Sequence, residues 1–374
     1  MRKTEYVDVT GLFTARLASC MLEKKAMLVM QSLTQWRQLI ATTEPSESLR
    51  DTCWKYYNNL TYLQARAPIT TTFVYYDTYL LTDGKPQRYS SSSIEFEKAN
   101  IMYNMACCCL SVGAAYSKTS DPESLKKSVQ AFQQAADAFQ KASDNAQLSS
   151  LINGDLAPRR LQSLVTMSLG CAHLVMHINA VAQNKSTAIQ LKLAAAAMNQ
   201  LSSSVDALRS IYGVSARLSF ISHFVIIKDY AIYSTMTLAA KNDEDNMEYG
   251  NQVKRLKWAM KAMDQASSIA FTSANKTELK KIYTEAKAAF TEAEKNNNKV
   301  YMMSLPHRRE LPVIQEILAA KPLPLEPIDD IFSDIIPASL ASAIHSYNQR
   351  AQTILNDSRN IVAQKNREGD AVIA

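Results

Sequence analysis

Residues Ser92–Ser117 read SSIEFEKANIMYNMACCCLSVGAAYS, and the spacing of their apolar side chains decides the fold class. Ser92 and Glu95 stand in the S-x-x-E spacing of a capping box, which predicts a helix start at that point. Ile94, Ile101, Met105, Cys108, Val112 and Tyr116 follow at steps of three, four or seven and form one apolar stripe. The opposite side carries Met102, Ala106, Cys107, Cys109 and Ala114 and is no more polar. A helix apolar on most sides is surrounded by other helices.

The rest of the chain has the composition of a helical protein. Of 374 residues 47% are hydrophobic, and glycine (8) and proline (11) are scarce, which favours helix over strand. No run of about 18 apolar residues suggests a membrane span. The N-terminal MRKTEYVDVTGLF has neither a leader's apolar core nor a myristoylation glycine. Cys107, Cys108 and Cys109 are consecutive, so on a helix their side chains point about 100° apart. With Cys20, Cys53 and Cys171 they read as small core residues in a reducing compartment, and not as a disulfide set or a zinc site. A net charge of +6 is too mild to mark a nucleic-acid binder.

Before the quoted stretch, Tyr6–Val9 reads as a short strand, and residues 21–41 and 46–66 read as helices, the second ended by Pro68. Thr70–Leu81 is rich in Thr, Val, Tyr and Phe and reads as a strand ahead of the turn Thr82–Pro86. From Ser92 to about Asn297 the pattern is helical, with breaks near Asp121-Pro122, Asn153–Pro158, Gln183-Asn184, Gly213, Asn242–Asn246 and Asn275. Long helices with short connections form stacked antiparallel hairpins, similar to tetratricopeptide arrays. Five of the eleven prolines lie between Pro306 and Pro327, so that segment is extended. Its apolar Leu311, Val313, Ile314, Ile317 and Leu318 predict that it packs back on the helices. A last helix follows from Pro337 and has no evident stop, which predicts that the natural protein continues.

Catalytic signatures are missing: no P-loop, GxGxxG, HExxH, GxSxG or CxxC pair occurs. His173 and His177 share a helix face at i, i+4, a spacing that can hold zinc. No acid lies nearby and the helix is apolar, so they read as a packed structural pair. No cofactor and no metal are expected.

The stretch FVYYDTYL through SSSIEFEKANIMYNMACCCLSVGAAYS resembles the signature region of the Bro domain, the N-terminal domain of Alix-type ESCRT-associated scaffolds. Glu97-Lys98, Ile101 and Tyr103-Asn104 carry the resemblance, with LRDTCWKYYNNL before them and KVYMMSLPHRREL and IDDIFSDIIPASLASAIHSYNQR after them. The resemblance implies a mainly α, boomerang-shaped domain over residues 1–336. Its parts are N-terminal helices and a small sheet (1–91), a helical core (92–304) and an extended segment (305–336). The helix of 337–374 would begin a following region. It also implies a non-catalytic, monomeric module that binds the C-terminal amphipathic helix of a filament-forming ESCRT-III subunit. Such a module would be cytoplasmic and peripheral on endosomal membranes, or at the plasma membrane. The family's apolar groove falls on Met176, Ile189 and Leu193, and a regulatory tyrosine falls on Tyr301. Here Gly170-Cys171-Ala172-His173-Leu174 replaces a polar family sequence just before the groove. A different reading is a membrane-surface or cell-adhesion scaffold, with Lys126, Lys127, Lys254, Arg255 and Lys257 facing anionic lipid.

Overall fold

Among the described residues, one two-stranded ribbon and ten α-helices follow one another: α1 (Glu23–Thr42), α2 (Glu47–Gln64), β1 (Phe73–Thr82), β2 (Lys85–Ser91), α3 (Ile94–Tyr116), α4 (Pro122–Leu148), α5 (Pro158–Ala182), α6 (Thr187–Tyr212), α7 (Ser219–Asp245), α8 (Tyr249–Ile269), α9 (Ser273–Asn296) and α10 (Ala338–Ile373). The structure is a computed structural model. It describes residues 1–5, 7, 23–64, 71–82, 85–152, 154–212, 219–270, 272–333 and 338–373. Pro68, Cys20, Gly213 and most of the strand expected at Tyr6–Val9 lie outside the described residues.

From α3 to α9 each helix packs chiefly on its neighbours in sequence, which is the stacked-hairpin arrangement. The signature helix α3 begins one residue later than its spacing predicts. Ser93, not Ser92, is the cap, and its hydroxyl accepts from the Glu95 and Phe96 amides. Sixteen of its residues are buried, charged ones included. Asp121 caps α4 with Pro122 at its first position. The break expected at Asn275 falls earlier, because Thr272 caps α9 and accepts from the Asn275 amide. Helix α5 is long and apolar enough to cross a bilayer by composition, yet 67% of its most apolar window is buried inside the stack.

Strands β1 and β2 pair antiparallel, with Tyr75 opposite Tyr89. Thr4 bridges to the other side of Tyr75, so the chain's first residues extend the ribbon. Arg2 runs beneath it and pairs with Asp77 at 3.1 Å. The Asp155 amide donates to Asp77 at 2.9 Å. Burial raises the Asp77 carboxyl above its ordinary range, and nearby Asp155 raises it further. Gly154 has φ +59°, and a Cβ there would sit 2.3 Å from Asp77, so only glycine lets the chain pass.

The proline-rich segment after α9 crosses the helices in reverse order. Pro312 accepts from Arg255 of α8 (2.9 Å). The Ile317 amide donates to Lys192 O of α6 (3.3 Å) and the Leu323 amide to Gln133 O of α4 (3.1 Å). The Ala320 amide donates to His173 Nε2 of α5 (3.0 Å). Trp54 of α2 donates to Glu326 O (2.7 Å) and Tyr62 to Ile328 O (3.0 Å). Leu311 is buried, whereas Val313, Ile317 and Leu318 are exposed. Ile314, Leu325 and Ile328 also pack on the helices, so the strap is held by backbone hydrogen bonds and by side chains together.

Candidate functional site

The apolar groove expected at Met176, Ile189 and Leu193 falls on the hairpin between α5 and α6. Asn184 turns the chain with φ +50°, and the Lys185 amide closes on Ala180 O at 2.9 Å. Gln190 then fixes the first turn of α6 twice: its side chain donates to Lys185 O (2.7 Å) and its carbonyl accepts from His177 Nδ1 (3.1 Å). Ile189 and Leu193 are one turn apart on the same face. Ile189 is 42% exposed and Leu193 only 8%, while Met176 is half-buried against the main core. Along the hairpin, exposure therefore falls from Ile189 to Met176 to Leu193.

Two features that the sequence reading missed complete the site. Gly170 lies against Leu201 of α6, where an added Cβ would come within 2.8 Å of the leucine. That close approach draws α5 and α6 together near the middle of their length. The strap also borders α6. Ile317 is anchored at Lys192, next to Leu193, and Asn199 donates to Glu316 at 2.9 Å. The exposed Ile317 and Leu318 therefore lie on the strap where it passes α6. Their only sequence signal was apolarity within a proline-rich run, which identified the segment as packed but not where it packs.

His173 and His177 are both buried and both committed to hydrogen bonds. His173 Nδ1 lies 2.9 Å from Leu169 O and from Gln200 Oε1, so it carries the proton and Nε2 accepts from Ala320. Burial holds both imidazoles below their ordinary pKa. Burial pushes the Cys171 thiol up to about 12, which makes it an inert packing residue. Cys53, Cys108 and Cys109 are also buried free thiols, and Cys107 is a partly buried one.

Tyr301 follows α9 in a π-turn (Asn297–Tyr301) and stacks on Tyr249, with ring centroids 3.5 Å apart and planes 9° from parallel. Its ring is 42% exposed. A hydrogen bond with Tyr301 raises the Tyr249 hydroxyl pKa.

The five candidate membrane-facing cations divide. Lys126 is exposed and pairs with Glu123 (2.6 Å), and Lys127 rests over the Tyr116 ring. Lys254 and Lys257 share a pocket on α8. Arg255 does not face outward. It is 3% exposed, because Asp243 holds its guanidinium at 2.6 Å.

The BRO1-like domain model matches residues 1–355. This chain belongs to the BRO1-like domain family. ALG-2 interacting protein X of Dictyostelium discoideum is 30% identical over 329 residues, covering 83% of this chain and 40% of that protein. Vacuolar protein-sorting protein bro-1 of Neurospora crassa is 22% identical over 356 residues, covering 86% of this chain and 34% of that protein. The chain thus spans well under half the length of either relative. Among solved structures, an ALIX BRO1–CHMP4C complex superposes with a TM-score of 0.72 at 18% identity, over 89% of this chain and 98% of that one. ALIX in complex with the SIVmac239 PYKEVTEDL late domain gives 0.76 at 19% identity, over 94% of this chain and 52% of that one. The BRO1-like match therefore takes in the mainly α stack and the small sheet at its N-terminal side.

Proposed function

We propose that this BRO1-like domain is a non-catalytic docking module whose α5–α6 groove receives the C-terminal amphipathic helix of a filament-forming ESCRT-III subunit. It would thereby place its scaffold, from the cytoplasm, on endosomal membranes. The observation that carries this reading is the packed α5–α6 pair, on which Ile189 is left exposed one turn from Leu193 and Met176 is half-buried. A groove of apolar side chains between helices is the usual receptor for an amphipathic helix. A domain of the same fold in ALIX has been solved with CHMP4C, which supports this assignment.

We take the module to be residues 1–336, with α10 beginning a following region, although the family match itself runs on to residue 355, into α10. That helix shows exposed Leu340, Ile344, Tyr347, Ile354 and Ile361, at steps of four, three and seven. The test is calorimetric titration with the C-terminal helix of the same organism's filament-forming subunit. We expect micromolar binding, about −8 kcal/mol. No heat and no chemical-shift change at millimolar peptide would refute the assignment. The membrane-surface or adhesion reading loses Arg255, which is buried and paired.

A further inference from the structure

A second pocket lies on α8, away from the hairpin. It encloses about 280 Å³ and is lined by Lys254, Lys257, Trp258, Lys261, Arg308 and Leu311. The three lysines fall at i, i+3 and i+7 and so share one helix face. Arg308 reaches over from the strap, its guanidinium 3.4 Å above the centre of the Trp258 ring. Leu311 and the Arg255–Pro312 hydrogen bond fix the strap beside it. One wall is thus helix and the other is anchored strap, with Arg308 stacked on Trp258 and Lys257 resting over the Phe290 ring.

Among the described residues, none of these four cations has an acidic group within salt-bridge distance. Arg255, one position along the same helix, is paired with Asp243 and turned inward. Glu310, the acid closest to Arg308 in sequence, accepts from the His307 amide (2.6 Å) and does not line the pocket. Like charges one turn apart on a helix repel each other, and this face concentrates them around a concavity. A cavity of this volume is at the small end of ligand pockets, so it suits a compact ligand of high negative charge. Arg308 offers a planar fork that matches phosphate, and the lysines offer point charges.

We propose that this pocket binds a compact polyphosphate, of the inositol-phosphate class, with Lys254, Lys257, Lys261 and Arg308 as its ligands. The site is independent of the α5–α6 groove. Calorimetry with inositol hexakisphosphate should show one site whose affinity falls steeply as salt rises. The exposed pair Lys261→Glu with Arg308→Glu should weaken it by about tenfold or more. The exposed pair Lys126→Glu with Lys127→Glu changes net charge equally and should leave it within about twofold. Thermal melts of both variants check that each is folded, and the single variant Lys254→Gln serves if the first pair is not. Vesicles carrying a phosphoinositide, against phosphatidylserine vesicles of equal charge, separate the sources. Binding to the phosphoinositide vesicles identifies a lipid headgroup, and binding to the soluble probe alone identifies a free ligand. Equal loss in both variant pairs, no binding of the soluble probe, or binding only of a phosphorylated peptide would overturn the proposal. Peptide titration at the groove should be unchanged in every variant, so the two assignments fail separately.

Discussion

Asn104 holds the backbone of Arg2 on both sides: its Oδ1 accepts from the Arg2 amide at 2.7 Å and its Nδ2 donates to the Arg2 carbonyl at 3.1 Å. All of this is buried. The signature helix therefore carries a polar socket for the start of the chain. Asn100 adds a contact to the Arg2 guanidinium, and Asp77 pairs with it. Asn104→Ala should cost about 2–4 kcal/mol, since two backbone groups lose their partners without regaining water. Urea unfolding measures this. A cost below the error of the fit would show that the N-terminal strand detaches freely.

Arg37 and Glu97 form a second buried pair, 2.9 Å apart, with Tyr56 donating to the same carboxylate oxygen at 3.1 Å. Burial works against the charged Arg37, but Glu97 overrides it and raises the arginine overall. Arg37→Met alone should destabilise by about 3–5 kcal/mol, because Glu97 is left charged and unpaired. Adding Glu97→Gln should recover part of that loss. A strictly additive double mutant would contradict the pairing.

His173 makes stability depend on pH. Its folded pKa lies below the ordinary imidazole value through burial, so the unfolded chain binds the proton more readily. Stability is complete above about pH 6.5 and falls as pH drops through the folded pKa. Protonated Nε2 also cannot accept from Ala320, so the strap loses a tether at the same step. His177 shifts the same way. Urea midpoints at pH 7.5 and 5.5 for the native chain and for His173→Gln should diverge. A parallel decline would show that other groups carry the whole effect.

The groove assignment predicts unequal costs along its lining. Ile189→Asp changes an exposed side chain, and should remove about 2 kcal/mol or more of peptide binding with little change in unfolding. Leu193→Asp places a charge at a buried position and should lower both binding and stability. Loss of binding only in Leu193→Asp, in step with lost stability, would mean that the hairpin is core and not receptor.

Much of this architecture was legible in the sequence because helix periodicity is local. The stripe from Ile94 to Val112, the Asp121-Pro122 start and the Gln183-Asn184 turn all fall where the spacing puts them. The cap slipped from Ser92 to Ser93, because adjacent serines offer the same hydroxyl and only backbone geometry chooses between them. Glu97-Lys98 and Asn104 were marked by resemblance, yet why a core helix carries them was invisible: their partners, Arg37, Gln64 and Arg2, are distant in sequence. Arg255 misled for a similar reason. A basic run reads as a solvated face, and only the fold shows Asp243 waiting twelve residues earlier. The extended, packed-back strap was readable from its prolines and apolar residues, but its path and the Gly170 contact were not, since lateral docking and close approach leave no periodic trace.

The strap changes what kind of spring this stack is. Helical solenoids normally flex by small rotations accumulated at each interface, with nothing linking their ends. Here a chord runs from α8 back to α2, with Arg255 gripping Pro312 at one end and Trp54 gripping Glu326 at the other. Bending the stack away from the chord must stretch it, and bending toward the chord must buckle a proline-stiffened segment. Curvature is thereby set as in a strung bow, and a helix laid in the groove meets a receptor whose arc is already drawn.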